Sequence, residues 1–297
     1  MDYLEFGKAI CYSGYRKGQS PKTTPPTKEQ VREDLHILAN DGYKYIRMYD
    51  PNLHARYALE VIREDKLNMK AVIGIDSDNE VNNKNCPFEE QNFTDEELKQ
   101  HIDRNNRELD KLIELVKEFD DVVACVSVGN ENTPEWTAHK VSQEHLIEHV
   151  RKLKANLNKP VTFCEGYFDW PNIPDLAEEV DIISVHSYPY HYGTPVEDAV
   201  KQNKEHYENT KKRYPDKQVI FTELGWSSNT TNHSEDDPER QSIGSEKRYI
   251  EELTEWIEED KVIAFIFEAF DELWKGDSPE SSECNFGLYN EERKRKF

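Results

Sequence analysis

The sequence predicts an α/β chain folded as a (β/α)8 barrel with a short or missing eighth helix, on three observations. Eight short runs rich in apolar, β-branched and aromatic residues recur through the 297 residues, each too short for a globular helix. Helix-length segments separate them, the order expected of parallel strands joined by crossover helices. No repeat or linker interrupts the series, so residues 1–297 are expected to form one (β/α)8 domain. A doubly wound open sheet is the alternative, but it normally shows an early phosphate-binding glycine turn, and none is present here.

The first strand is expected over residues 6–12. Thr27 then precedes Val31, Leu35 and Leu38 at helical spacing, an N-cap followed by an amphipathic helix. Strands follow at 45–49 and 69–75, with a helix over 55–66 between them. A long polar loop covers 76–92. A capped helix begins at Thr94, with Leu98, Ile102, Leu109, Leu112 and Val116 on one face.

The fourth strand, 122–128, runs into Gly129-Asn130-Glu131. Leu146, Val150, Leu153 and Leu157 mark the next helix, and 160–165 the fifth strand. A short helix over 175–179 leads to the sixth strand, 180–186, and the helix 196–214 to the seventh, 218–223. After the loop 227–239 comes a helix over 243–258, then an eighth strand over 262–270. The closing basic run Arg293-Lys294-Arg295-Lys296 is expected to be solvated.

Composition removes several classes of function. Lys+Arg is 38 against Asp+Glu 60, a formal charge of −22, which repels nucleic acid and anionic membranes. No stretch approaches the ~20 apolar residues needed to span a bilayer. The N-terminus lacks the basic and apolar regions of a secretory leader, so the chain as written is expected in the cytoplasm, or secreted or periplasmic if a leader was trimmed. A monomer is expected. Cys11, Cys125 and Cys164 lie in strand-like runs and Cys86 and Cys284 in loops without metal-ligand spacing, so all five thiols are expected free.

In a barrel, the residues that end each strand converge on one face. Here they are Tyr12, Tyr49, Asp76, Asn130-Glu131, Glu165, His186 and Tyr188, Glu223 with Trp226, and Glu268 with Asp271-Glu272. The ring lacks a His/Asp set with metal spacing and lacks a serine nucleophile elbow, so no metal and no cofactor are expected. Aromatic faces stack on the C–H faces of sugar rings, while carboxylates and amides bond their hydroxyls; a neutral carbohydrate fits best. Glu131 and Glu223, on strands four and seven, would face each other across the mouth. Glycosidic cleavage needs such a pair, and Asn130 suits a bond to the sugar 2-OH.

The runs VSVGNE at 126–131, FTELGW at 221–226 and FEAFDELWK at 267–275 resemble glycoside hydrolase family 17, the β-1,3-glucanases and lichenases. AICYSGYRKGQSP at 9–21 and YIRMY at 45–49 resemble the opening strands of its bacterial members. The resemblance implies Glu131 as acid/base, Glu223 as nucleophile, and Glu272 and Lys275 as supports of the nucleophile and the −1 sugar. It also implies a retaining endo-β-1,3-glucanase acting on laminarin-like β-glucan by double displacement. Ser227 stands where plant members usually carry proline, and the loops 76–92 and 227–239 have no placed counterpart.

Simpler readings stand beside these. Glu272 and Lys275 could be an exposed ion pair three residues apart. Tyr12, Tyr49, Tyr188 and Trp226, read as sugar contacts, could cap the barrel core, and Phe168 and Trp170 could stack on substrate or pack a loop. A β-1,3-glucanosyltransferase, a non-catalytic glucan-binding barrel and a metal-dependent barrel hydrolase are the competing functions.

Overall fold

In the computed structural model, which describes residues 2–232, 237 and 239–297, eight parallel strands close into a barrel in sequence order. They are β1 Lys8–Cys11, β2 Tyr43–Met48, β3 Lys70–Ile73, β4 Val123–Asn130, β5 Val161–Gly166, β6 Ile182–His186, β7 Gln218–Leu224 and β8 Ala264–Ile266. Seven α-helices among the described residues wrap them: α1 Lys28–Asn40, α2 Leu53–Glu64, α3 Asp95–Glu118, α4 Gln143–Asn156, α5 Pro174–Glu179, α6 Val196–Arg213 and α7 Ile243–Glu259.

Helix starts follow local chemistry. Thr27 and Thr94 each accept from the backbone N–H three residues on, and the side chains of Gln30 and Glu97 answer to the cap backbone. Both orphan donors are thereby satisfied, which fixes where α1 and α3 begin. Each helix then turns an apolar stripe, such as Val31, Leu35 and Leu38, onto the outer face of the sheet. A second, smaller core fills the barrel interior, where Ala9, Tyr45, Val72, Cys125, Ile182, Ile220 and Phe265 meet in layers. The strands read as nearly continuous apolar runs because both of their faces are buried. All five cysteines are free.

Two regions depart from the sequence reading. The eighth strand stops at Ile266 because the chain then turns away to pair with its own end: Glu268 N–H donates to Phe286 O, and Leu288 N–H to Glu268 O. No helix follows. The basic run closes the seam instead of lying in solvent. Arg293 is 9% exposed and bonds both oxygens of Asp34 at 2.8 Å, and Lys296 lies 2.8 Å from Asp271 and 3.3 Å from Glu246. Buried carboxylates on α1, α7 and the strand-eight exit require those cations. The expectation of a solvated tail fails for these two residues and holds for exposed Lys294, which pairs with its exposed neighbour Glu292.

The loop 76–92 braces the one that follows β4. Asn83 donates to the carbonyls of Glu135 and Thr137, Gln91 to that of Ala138, and Glu80 N–H to Lys140 O. Residues 233–236 and 238, within the predicted loop 227–239, lie outside the described residues.

Candidate active site

β4 ends in a turn that its residue types require. The side chain of Asn132 folds back to accept from Asn130 N–H at 2.8 Å, and a Cβ on Gly129 would sit 2.2 Å from that oxygen. Glu131 follows at φ +50°, a left-handed conformation that non-glycine residues rarely adopt and that aims its carboxyl across the mouth. At the end of β7, a Cβ on Gly225 would lie 2.2 Å from Phe267 O, so glycine lets the strand-eight exit pass close by.

Glu223 is held by four groups. Oε1 accepts from Arg47 Nη1 and, at 3.0 Å, from Tyr49; Oε2 accepts from Tyr188 at 2.6 Å. The fourth is His186, whose Nε2 lies 3.7 Å from Oε1. Burial would push the Glu223 carboxyl up, but His186 and Arg47 overcome it and hold it down at about 2. Arg47 also donates to the Asn130 side-chain oxygen, so one guanidinium aligns the nucleophile candidate and the amide beside Glu131.

His186 is 1% exposed and joins the two carboxylates: its Nδ1 lies 2.7 Å from Glu131 Oε1, its Nε2 has no hydrogen-bond partner within ordinary geometry among the described residues, and the Cys164 thiol stands beside the ring. Burial disfavours its charge, yet Glu223 and Glu131 raise its pKa to about 10. Among the described residues, Glu131, His186 and Glu223 form the group that could hold a metal ion, their ligand atoms all within 4.8 Å of one another. An ion there would have to displace a firmly held imidazole proton beside the fixed charge of Arg47, so the donor set suits a charge-paired acid/base site better.

On the strand-eight side, Lys275 lies 2.9 Å from Glu272 and also bonds Glu268. Burial drives Glu268 well above the carboxylate range despite Lys275, whereas Lys275, Ser13 and Tyr15 N–H hold buried Glu272 down. One cation thus serves two buried carboxyls whose proton affinities are pushed apart. The pair is no exposed surface bridge, since Glu272 is wholly buried.

Glu223, Asn130, Tyr49, Tyr12 and Lys275 line a cavity of about 540 Å³, together with Trp274. Of the predicted aromatics, Tyr49 and Tyr188 spend their hydroxyls on Glu223. Tyr12 gives the cavity a ring edge while its hydroxyl donates to Asp34 at 3.3 Å. Trp226 does not reach the cavity. It is fully buried, donates to Arg240 O at 2.8 Å and packs edge-on to Tyr190 at 5.5 Å, partners that draw the ring into the core. Glu165 is a loop brace that accepts from Thr133 N–H and hydroxyl at 3.1 and 2.7 Å, with burial and the charge of Glu131 raising its pKa to about 8. Trp170 is core, donating to Ser184 O, whereas Phe168 is 54% exposed.

Sequence reasoning passed over Arg47 and Trp274. The first had a signal: a lone arginine inside an otherwise apolar parallel strand must find a buried anion. The second had none beyond its place in the last motif.

Comparisons with known proteins bear on this geometry. The family model of the BtgE/BtgC glycoside hydrolase domain matches residues 9–287. The chain is 25% identical to an endo-laminarinase from Formosa, with a TM-score of 0.82 over 96% of this chain and 83% of that one. It shares its fold with an active-site mutant of the Rhizomucor miehei β-1,3-glucanosyltransferase solved with laminaritriose (TM-score 0.76, 19% identity, 97% and 95% covered). It is 24% identical over 287 residues to the probable family 17 glucosidase SCW10 of Saccharomyces cerevisiae, covering 95% of this chain and 64% of that protein. The chain spans 48–64% of the length of the curated relatives it matches. No helix among the described residues is long and apolar enough to cross a membrane.

Proposed function

The chain belongs to the BtgE/BtgC glycoside hydrolase family, and from that premise we propose that it is a retaining endo-β-1,3-glucanase acting on laminarin-like β-glucan. Glu223 is the nucleophile and Glu131 the acid/base. The carrying observation is that an oxygen of each lies within 4.8 Å of the other. Retaining enzymes hold the two carboxyls about 5–5.5 Å apart, and inverting ones need roughly 6.5–9.5 Å to admit a water. The charge on Glu223 supports its role: the carboxyl is kept ionised by His186 and Arg47, as attack requires.

In this reading Glu223 attacks the anomeric carbon while Glu131 protonates the departing oxygen, and water then reverses the path. Asn130, fixed by Arg47, bonds the 2-OH; Lys275, with Glu272 behind it, bonds the −1 sugar; Tyr12 and Trp274 wall that sugar in. The barrel works as one catalytic domain and as a monomer.

A second reading, glucanosyl transfer, is favoured by one observation. Phe168 and Tyr192, 54% and 46% exposed, meet edge-to-face at 5.1 Å, and Tyr192 feels the charge of Glu131. That platform lies on the acid/base side, where an acceptor chain would lie. Product sizes from laminarin at high acceptor concentration separate the two: chains longer than the substrate mean transfer.

The roles are tested by azide rescue. Glu223→Gly with an activated laminaribioside donor and azide should give the α-glycosyl azide, because the anion replaces the nucleophile in a single inversion. Glu131→Ala should give the β-glycosyl azide from the covalent intermediate, two inversions restoring configuration. Proton NMR of the anomeric centre reads both, and the opposite assignment would exchange the roles.

A further inference from the structure

Within the double-displacement reading, on which this inference rests, one buried group has no part yet in the proton's path: the imidazole between the two carboxylates. We propose that His186 stores the proton that Glu131 delivers, and surrenders it as the charge of Glu223 is consumed. It acts through Glu131 and is a positioning residue.

The geometry carries the argument. Nδ1 contacts Glu131 at 2.7 Å, while Nε2, buried and without a hydrogen-bond partner, faces Glu223 at 3.7 Å. A ring that touched only Glu131 could be a simple orienting donor. A ring that also faces the nucleophile, with the Cys164 thiol as its one other polar neighbour among the described residues, reads the charge on both. The groups around it are Glu131 at the end of β4, the Cys164 thiol on β5, Glu223 on β7 and, beyond Glu223, Arg47 on β2. With both carboxylates ionised the ring is held as imidazolium, its pKa raised to about 10 against the cost of burial.

The proton then follows the chemistry. An Oε lone pair of Glu223 forms the bond to the anomeric carbon, and the electron pair of the breaking glycosidic bond goes to the leaving oxygen. That oxygen takes a proton from Glu131, which receives one from His186 Nδ1. The driving force is local: once Glu223 is an ester its negative charge beside Nε2 is gone, and the imidazolium becomes a stronger acid at the moment acid is needed. In the second half water attacks, the ester bond breaks back to Glu223 as carboxylate, and the water proton passes to Glu131 and on to His186. Protons balance over the cycle.

The test is His186→Asn, which can keep a donor toward Glu131 but cannot store a proton. Laminarin hydrolysis should fall by about 10²-fold or more, while the glycosylation burst on a 2,4-dinitrophenyl laminaribioside, whose leaving group needs no proton, should stay within about tenfold of wild type. The basic limb of kcat/KM for laminarin should move down by about one pH unit or more. Equal losses on both substrates, or an unmoved basic limb, would overturn the proposal. Nitrogen-15 NMR of His186 decides the matter even if that variant fails to fold. The wild-type ring should remain charged to beyond about pH 8, and in Glu223→Gln it should titrate near an ordinary imidazole; a ring neutral at pH 7, or one indifferent to Glu223→Gln, would overturn it. A wild-type enzyme that leaves laminarin intact would instead refute the glucanase reading, and the NMR titration would still decide the charge coupling.

Discussion

Two clusters of buried charge sit about the same barrel, one at its mouth and one at the seam where an eighth helix would have been. At the mouth, Glu223 is served by Arg47, His186, Tyr49 and Tyr188. At the seam, Asp34 is served by Arg293 and Arg16, and Lys296 by Glu246 and Asp271. Residue types and distances are alike. What differs is that Asp34 and Glu246 are wholly enclosed, whereas Glu223 opens on the cavity and its neighbour His186 keeps an unserved nitrogen. Buried charge by itself is therefore a poor mark of function. Buried charge that reaches a cavity and leaves a polar atom unsatisfied is a better one.

The largest effects should separate the clusters cleanly. Glu223→Gln should remove hydrolysis by on the order of 10⁴-fold. Arg293→Met leaves Asp34 with Arg16 and the Tyr12 hydroxyl in a buried site and should cost about 3–5 kcal/mol of stability, the usual penalty for breaking one side of a buried pair. Folded Arg293→Met protein should keep the wild-type KM. Parallel urea unfolding and laminarin kinetics check both, and an Arg293→Met enzyme that is stable but inactive would erase the distinction.

The seam also shows why part of the molecule was illegible in the sequence. Strand and helix order, the barrel and the Glu131–Glu223 pairing were legible because periodicity and strand-end motifs are local signals. The partnership of Arg293 with Asp34 joins residues far apart along the chain, and nothing near either names the other, so a basic run looked like solvated tail. Trp226 was misread for the same reason: a motif places a residue near the mouth, but whether its ring faces sugar or core depends on the loop beneath. His186 stood in the ring of strand ends, yet its two contacts needed three strands in register.

pH should pull the clusters apart next. Burial, opposed by Lys296, raises Glu246 from 4.5 to about 8, so between those values the folded state binds more protons than the unfolded chain. Stability contributed there is present at low pH and lost as pH rises through that window. Glu223 runs the other way: lowered from 4.5 to about 2, its contribution is present above 4.5 and lost as pH falls. His186, raised from 6.5 to about 10, loses its contribution as pH climbs through that range. Glu246→Gln should therefore flatten the decline of Tm between about pH 5 and 8 and leave the acid loss intact. An unchanged slope over that interval would mean Glu246 is not the group responsible.

The smallest effects come from taking one hydroxyl from each cluster. Tyr188 donates to Glu223 Oε2 at 2.6 Å, and Tyr289 donates to Asp41 at the seam. Both substitutions to Phe remove one bond to a carboxylate, worth roughly 1.5–3 kcal/mol before water repairs part of it. The consequences should differ. Tyr188→Phe withdraws a donor that stabilises the ionised Glu223 carboxylate, so the pKa of Glu223 rises and the acid limb of kcat/KM should move upward, by a fraction of a pH unit to about one. Tyr289→Phe should lower Tm by a few degrees, with the pH profile unmoved, since Asp41 is partly exposed, keeps Arg295 at 2.9 Å and faces no substrate. The same lost bond would then appear as a shifted protonation at the mouth and as lost stability at the seam. If the acid limb moved equally in both variants, the two clusters would be electrostatically one, and the division drawn between them would not hold.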